Sequence, residues 1–112
     1  MRIRIACTII MLALLLAGSA AATKCAIFVV EDKMTINNAN IYLGGGSRQI
    51  GLTSYNLGLG QNCWIGEIPE GEHTLSAKWW RLVPKGQLHE GSATVSVAGT
   101  TMMHINIATK KA

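Results

Sequence analysis

Over residues 74–80 the side chains alternate without exception. Leu75, Ala77 and Trp79 fall on one face of an extended chain, and Thr74, Ser76, Lys78 and Trp80 on the other. Successive side chains of a strand point to opposite faces, so this spacing predicts a half-buried β-strand rather than an amphipathic helix. The same period returns in residues 92–97, with Ala93, Val95 and Val97 inward, and in residues 102–107, with Met103, Ile105 and Ile107 inward and Met102, His104 and Asn106 outward. Between these two runs, Ala98-Gly99-Thr100 is short and holds a glycine free to take positive φ, which predicts a β-hairpin.

Upstream the strands are shorter. Ala26-Ile27-Phe28-Val29-Val30 is a continuous apolar run, as expected of a strand covered on both faces, and Glu31-Asp32-Lys33 ends it. Residues 40–43 read as a strand that stops at the turn Gly44-Gly45-Gly46-Ser47, and residues 48–53 as its returning partner. Residues 54–61, with Asn56, Gly58 and Gly60, read as a loop, and residues 62–68 as the strand that brings Cys63 into the fold. Pro69-Glu70-Gly71-Glu72 supplies a turn, with proline preset for its second position. Six or seven short strands separated by turn signals predict an all-β chain, an antiparallel β-sandwich of the immunoglobulin or transthyretin kind.

The N-terminus carries a different signal. Arg2 and Arg4 precede an apolar run over residues 9–17, followed by Gly18-Ser19-Ala20-Ala21-Ala22. The run is too short for a bilayer core that needs ~20 apolar residues, and its order of charged, apolar and small segments is that of a secretory signal peptide. Residues 1–22 are therefore read as the signal, and residues 23–112 as a single periplasmic or secreted domain with no membrane span once the signal is removed. Cys7 leaves with the signal. Cys25 and Cys63 remain, and in an oxidising compartment they are expected to form one disulfide. Lys24 stands where lipid attachment at Cys25 would need a small residue. Loss of Arg2 and Arg4 lowers the formal net charge from +4 to +2, which demands neither nucleic acid nor an anionic membrane as partner.

A resemblance follows from the turns. Asn40-Ile41-Tyr42-Leu43-Gly44, Gln49-Ile50-Gly51, Ile68-Pro69-Glu70-Gly71-Glu72-His73-Thr74-Leu75 and Ala98-Gly99-Thr100-Thr101 resemble the small bacterial β-sandwich modules of the PEGA type, near the carboxypeptidase-regulatory and transthyretin-like group. The likeness spans residues 40–107. It departs from the pattern in a longer insert at residues 53–63 and in Trp79-Trp80-Arg81, where a glycine-aromatic pair is usual. What it implies is a non-enzymatic envelope or adhesion element.

The chemistry-bearing residues agree with a binding role. Asp32 is the sole aspartate and no serine sits in a Gly-x-Ser-x-Gly elbow, so a Ser-His-Asp site is not supported. Glu67, Glu70 and Glu72 flank a turn, where solvated charge is the simpler reading. Met102 and His104 share a strand face but lack a second ligand pair, while His73 is placed at a strand start and His89 in a loop; neither a metal nor a cofactor is expected. Consecutive tryptophans on a strand cannot both point inward, and alternation assigns Trp79 to the core and Trp80 to the outside. Lys78, Trp80 and Arg81 are thus the candidate partner-binding residues, unless the loop after Arg81 folds over the indole. The expected function is an exported, non-catalytic binding or interaction module of the cell envelope or extracellular space, with a protein or an envelope glycan as partner. The alternative is a small disulfide-stapled inhibitor of a secreted hydrolase.

Overall fold

The computed structural model describes residues 21–45, 48–82, 86–99 and 101–112. The strands are β1 (Ala22–Glu31), β2 (Met34–Thr35), β3 (Asn40–Leu43), β4 (Arg48–Leu52), β5 (Ser54–Asn56), β6 (Gln61–Pro69), β7 (Gly71–Arg81), β8 (Gln87–Val97), β9 (Met103–Ala108) and β10 (Lys110–Lys111). All but Ala21 and Ala22 of the proposed signal peptide lie outside the described residues, as do Gly46, Ser47, residues 83–85 and Thr100. β1 starts at Ala22, the residue before the proposed cleavage.

The described residues are all-β, built as two packed sheets. The first runs β9-β1-β6-β5, with β2 beside the C-terminal end of β1 on the β6 side; the second runs β10-β8-β7-β3-β4. Neighbours in sequence are contributed as hairpins to alternate sheets: β1-β2 and β5-β6 to the first, β3-β4 and β7-β8 to the second. Cys25, Ile27, Val29, Ile68, Ile105 and Ile107 from the first sheet meet Ile41, Leu75, Ala77 and Val97 from the second in one core. Ile27, Ile41, Leu75 and Ile107 are fully buried, and each such side chain contributes about 2 kcal/mol by leaving water. The inward faces expected for β7, β8 and β9 are those observed: Leu75 and Ala77 are buried, Trp79, Ala93, Val95 and Met103 pack against the core, and Asn106 and His104 are exposed.

Buried threonines clasp three of the places where the chain changes sheet. At the β4-β5 crossing Thr53 Oγ1 donates to the Ile36 carbonyl at 2.6 Å and accepts from the Ala39 N–H at 2.9 Å. Thr23 Oγ1 donates to the Gly99 carbonyl at 3.1 Å, at the bend after β8. Thr109, between β9 and β10, is described with the site below. The Thr53 and Thr23 hydroxyls satisfy backbone groups that have left the ladder and would otherwise be buried without partners, whereas Thr109 bonds side chains.

Four expectations are corrected. Residues 92–97 and 102–107 form no hairpin: β8 and β9 lie in opposite sheets, Ala98 and Gly99 bridge them, and β9 runs parallel to β1 from Cys25↔Met103 to Val30↔Ala108. Residues 54–56 are not loop but a short edge strand, with Ser54 opposite Cys63; the turn that follows is closed by Asn56, whose Oδ1 accepts from the Leu59 N–H at 2.9 Å. Among the described residues ten strands replace six or seven because β2, β5 and β10 are two or three residues long.

The fourth correction is the disulfide, since Cys25 and Cys63 are both free and buried. Their positions explain this. In the β1-β6 register Cys25 opposes Gly66 and Ile27 opposes Trp64, which puts Cys63 beyond Trp64 towards Phe28. Cys25 faces the core between the sheets, whereas Cys63 packs with Ala26 and Phe28 on the opposite face of the same sheet. Two side chains on opposite faces, three residues apart in register, cannot bring their Cβ atoms to bonding separation. Burial pushes both thiols above their ordinary value of 9.0. A raised folded-state pKa means that the neutral thiols contribute stability below the ordinary thiol pKa, and that this contribution is lost as pH rises through the higher folded values. Alkylation of the domain is therefore expected to label both cysteines in denaturant and neither rapidly in the folded state, with stability falling at strongly alkaline pH. An intact mass two hydrogens lighter, and no labelling after unfolding, would restore the bridge.

Candidate functional site

Alternation along β7 places the two adjacent tryptophans as expected. Trp79 packs against the core, and Trp80 is 59% exposed. Trp64, the third, faces the core and lies flat against Gly51 and Gly66, where a Cβ would overlap its ring. Lys78 shares Trp80's face, two residues back. Its ammonium sits 5.6 Å from the Tyr42 ring centroid, a cation–π contact that holds the long side chain over β3.

The cross-strand register builds a row through Lys78. Leu52, Asn40, Lys78, Glu90 and Lys110 stand side by side on β4, β3, β7, β8 and β10. Gln49 Nε2 donates to Asn40 Oδ1 at 2.9 Å, fixing both amides on this face. Trp80 opposes Leu88 in the next row, and Leu82, beyond the end of β7, is 76% exposed. Lys78 and Trp80 are therefore neighbours on an outer sheet face.

Arg81 does not join them. It lines two cavities at this end of the sheets: one of about 290 Å³ walled by Glu31, Asp32, His89, Thr109, Lys110 and Lys111, and one of about 250 Å³ walled by Glu31, Asp32, Met34, Ile36 and Trp79. One residue of strand separates it from Trp80, and that step reverses the face.

Behind these cavities lies a relay that the linear sequence does not reveal. His89, read above as a loop residue, is in β8 and 4% exposed. Its Nδ1 bonds Glu31 Oε1 at 2.8 Å, and its ring stacks on Trp79 with centroids 4.3 Å apart. Thr109 Oγ1 donates to the same carboxylate oxygen at 3.1 Å and accepts from Trp79 Nε1 at 3.0 Å. Glu31 and His89 stand 58 residues apart in sequence, so only the packing of β1 against β8 brings them together. The imidazole's Nε2 is buried, with no hydrogen-bond partner among the described residues. The relay ties the two sheets at this end of the molecule and forms the back wall against which Arg81 lies.

Asp32, which lines both cavities, and Lys33 take positive φ, 51° and 66°, in the two-residue turn between β1 and β2. Primed turns need this backbone to match strand twist, and residues other than glycine adopt it at some strain. Among the described residues no three His, Cys, Asp or Glu side chains converge as a metal site, and no helix is long and apolar enough to cross a membrane. In comparisons with known proteins, no family model, curated protein or solved structure matches the chain.

Proposed function

We propose that the chain is an exported, non-catalytic β-sandwich of the immunoglobulin or transthyretin kind that acts by binding in the cell envelope or extracellular space, through the sheet face that carries Lys78 and Trp80. The observation that carries this reading is the exposure of Trp80. Two of the three tryptophans pack against the core, and the third presents 59% of its surface to solvent beside a lysine oriented by Tyr42. A large aromatic left outside a small domain is the kind of group that anchors a partner, because it buries much apolar area with few rotors to fix.

Capture from envelope extract by the immobilised domain tests this. Trp80→Ala is expected to lower retention of the captured partner about thirtyfold, the equivalent of ~2 kcal/mol, with the unfolding midpoint unchanged. A fall in stability without a selective fall in capture would assign Trp80 to packing under the loop after Arg81, and the binding reading would be lost.

A further inference from the structure

We infer that the partner of this face is an acidic polysaccharide, with Trp80 stacked on one sugar ring and Lys78 paired with a carboxylate of the same chain. The inference rests on the binding reading above and names the ligand class for that surface.

The face has the dimensions and chemistry of a glycan platform. Trp80 and Lys78 project from the same side of β7 about 7 Å apart, two residues of strand rise. The row Asn40, Lys78, Glu90 and Lys110 crosses four strands, or about 14 Å at ordinary strand spacing. An indole offers a flat apolar surface to the C–H face of a pyranose, and amides offer donors and acceptors to its hydroxyls. Asn40 and Gln49, already bonded to one another, supply the amides at one end of the row.

Charge selects the acidic kind. Lys78 and Lys110 flank the single carboxylate of Glu90 in that row, and among the described residues none of the three makes an ion pair within 4 Å. Two ammonium groups against one carboxylate leave a net positive row, with Lys78 prepositioned over Tyr42. A carboxylate-bearing sugar completes this pairing through charge-assisted hydrogen bonds, whereas a neutral glycan leaves it unmade. The surface fits a protein interface less well. Such interfaces place a contiguous apolar core in ~800 Å² per partner, and here the apolar residues at one end, Trp80 with Leu88 opposite and Leu82 beyond the strand, are parted from the exposed Leu52 by Asn40 and Lys78.

The test uses a printed array of uronate- and sialate-bearing glycans beside neutral counterparts, then affinity electrophoresis of the domain in gels containing alginate, polygalacturonate, hyaluronate or dextran. Retention by acidic but not neutral glycans is expected. It should weaken at least tenfold in Trp80→Ala and in Lys78→Gln, fall as salt is raised, and survive in Lys33→Gln, which removes an equal charge elsewhere. Trp80→Phe, which keeps an aromatic face, should recover part of the loss, and all variants should unfold at the wild-type midpoint. Equal retention by dextran, or binding indifferent to Lys78→Gln, overturns the inference. Absence of glycan binding together with Trp80-dependent capture of a protein overturns it and leaves the binding reading standing. Indifference of every ligand to Trp80→Ala removes both.

Discussion

Gly91→Ala is expected to destabilise the domain by about 3 kcal/mol or more, and to leave little folded protein at 37 °C. A methyl group built on Gly91 overlaps the Ala108 carbonyl oxygen, and also lies 2.9 Å from the Ala108 carbonyl carbon and 3.1 Å from Thr109 Cα. These are backbone atoms, with no rotamer to turn aside. Overpacking a core by a methylene costs ~1–3 kcal/mol when side chains yield, and more when the chain itself has to move. The crowding arises where β9 leaves the first sheet to become β10 in the second and passes directly over β8. Gly86→Ala is the control, because the nearest atom to its built Cβ is 4.0 Å away, and its denaturant midpoint should stay close to wild type. Equal midpoints for the two variants would mean that the Ala108–Thr109 backbone does not press on Gly91.

Glu31→Ala should cost about 3 kcal/mol. Its carboxylate takes hydrogen bonds from two partners at once, His89 Nδ1 and Thr109 Oγ1, and the Glu31 and His89 side chains are only 12% and 6% exposed. Truncation leaves both partners buried and unpaired, at ~1–3 kcal/mol each. Glu31→Gln keeps an oxygen in place and should cost markedly less. A double-mutant cycle with His89→Ala, read by urea unfolding, should show strong coupling, since the pair belongs to one network. Additive losses would reduce the relay to packing.

What the sequence reveals and what it hides divides along a physical line. Alternation reports which face a residue takes, and so Leu75, Ala77, Trp79 and Trp80 are placed correctly from the chain alone. The apolar run at Ala26–Val30 likewise announces a strand covered on both faces: Ile27 and Val29 enter the main core, Ala26 and Phe28 a second cluster. Alternation does not report which strand lies alongside. Hence β9 reads as the hairpin partner of β8 when it is the parallel neighbour of β1, and the Glu31–His89 contact has no signature in spacing. The cysteines fail for a related reason. Compartment and count argue for a bridge, but whether two thiols can meet depends on register, which puts them on opposite faces of one sheet. Arg81 follows Trp80 in sequence and reads as its companion, whereas adjacency along a strand means opposition across it.

The parallel pairing of β1 with β9 also bears on how the chain is made. β1 is synthesised long before β9, so the side of the most apolar segment that pairs with β9 has no neighbour until Ala108 has left the ribosome. Contacts so distant in sequence are slow to form, because the intervening chain must be ordered before they can be made. A nascent chain is therefore kept from closing its interior early. For a protein proposed to be threaded across a membrane before folding, this order of events holds the polypeptide open through transit and reserves completion of the first sheet for the far side.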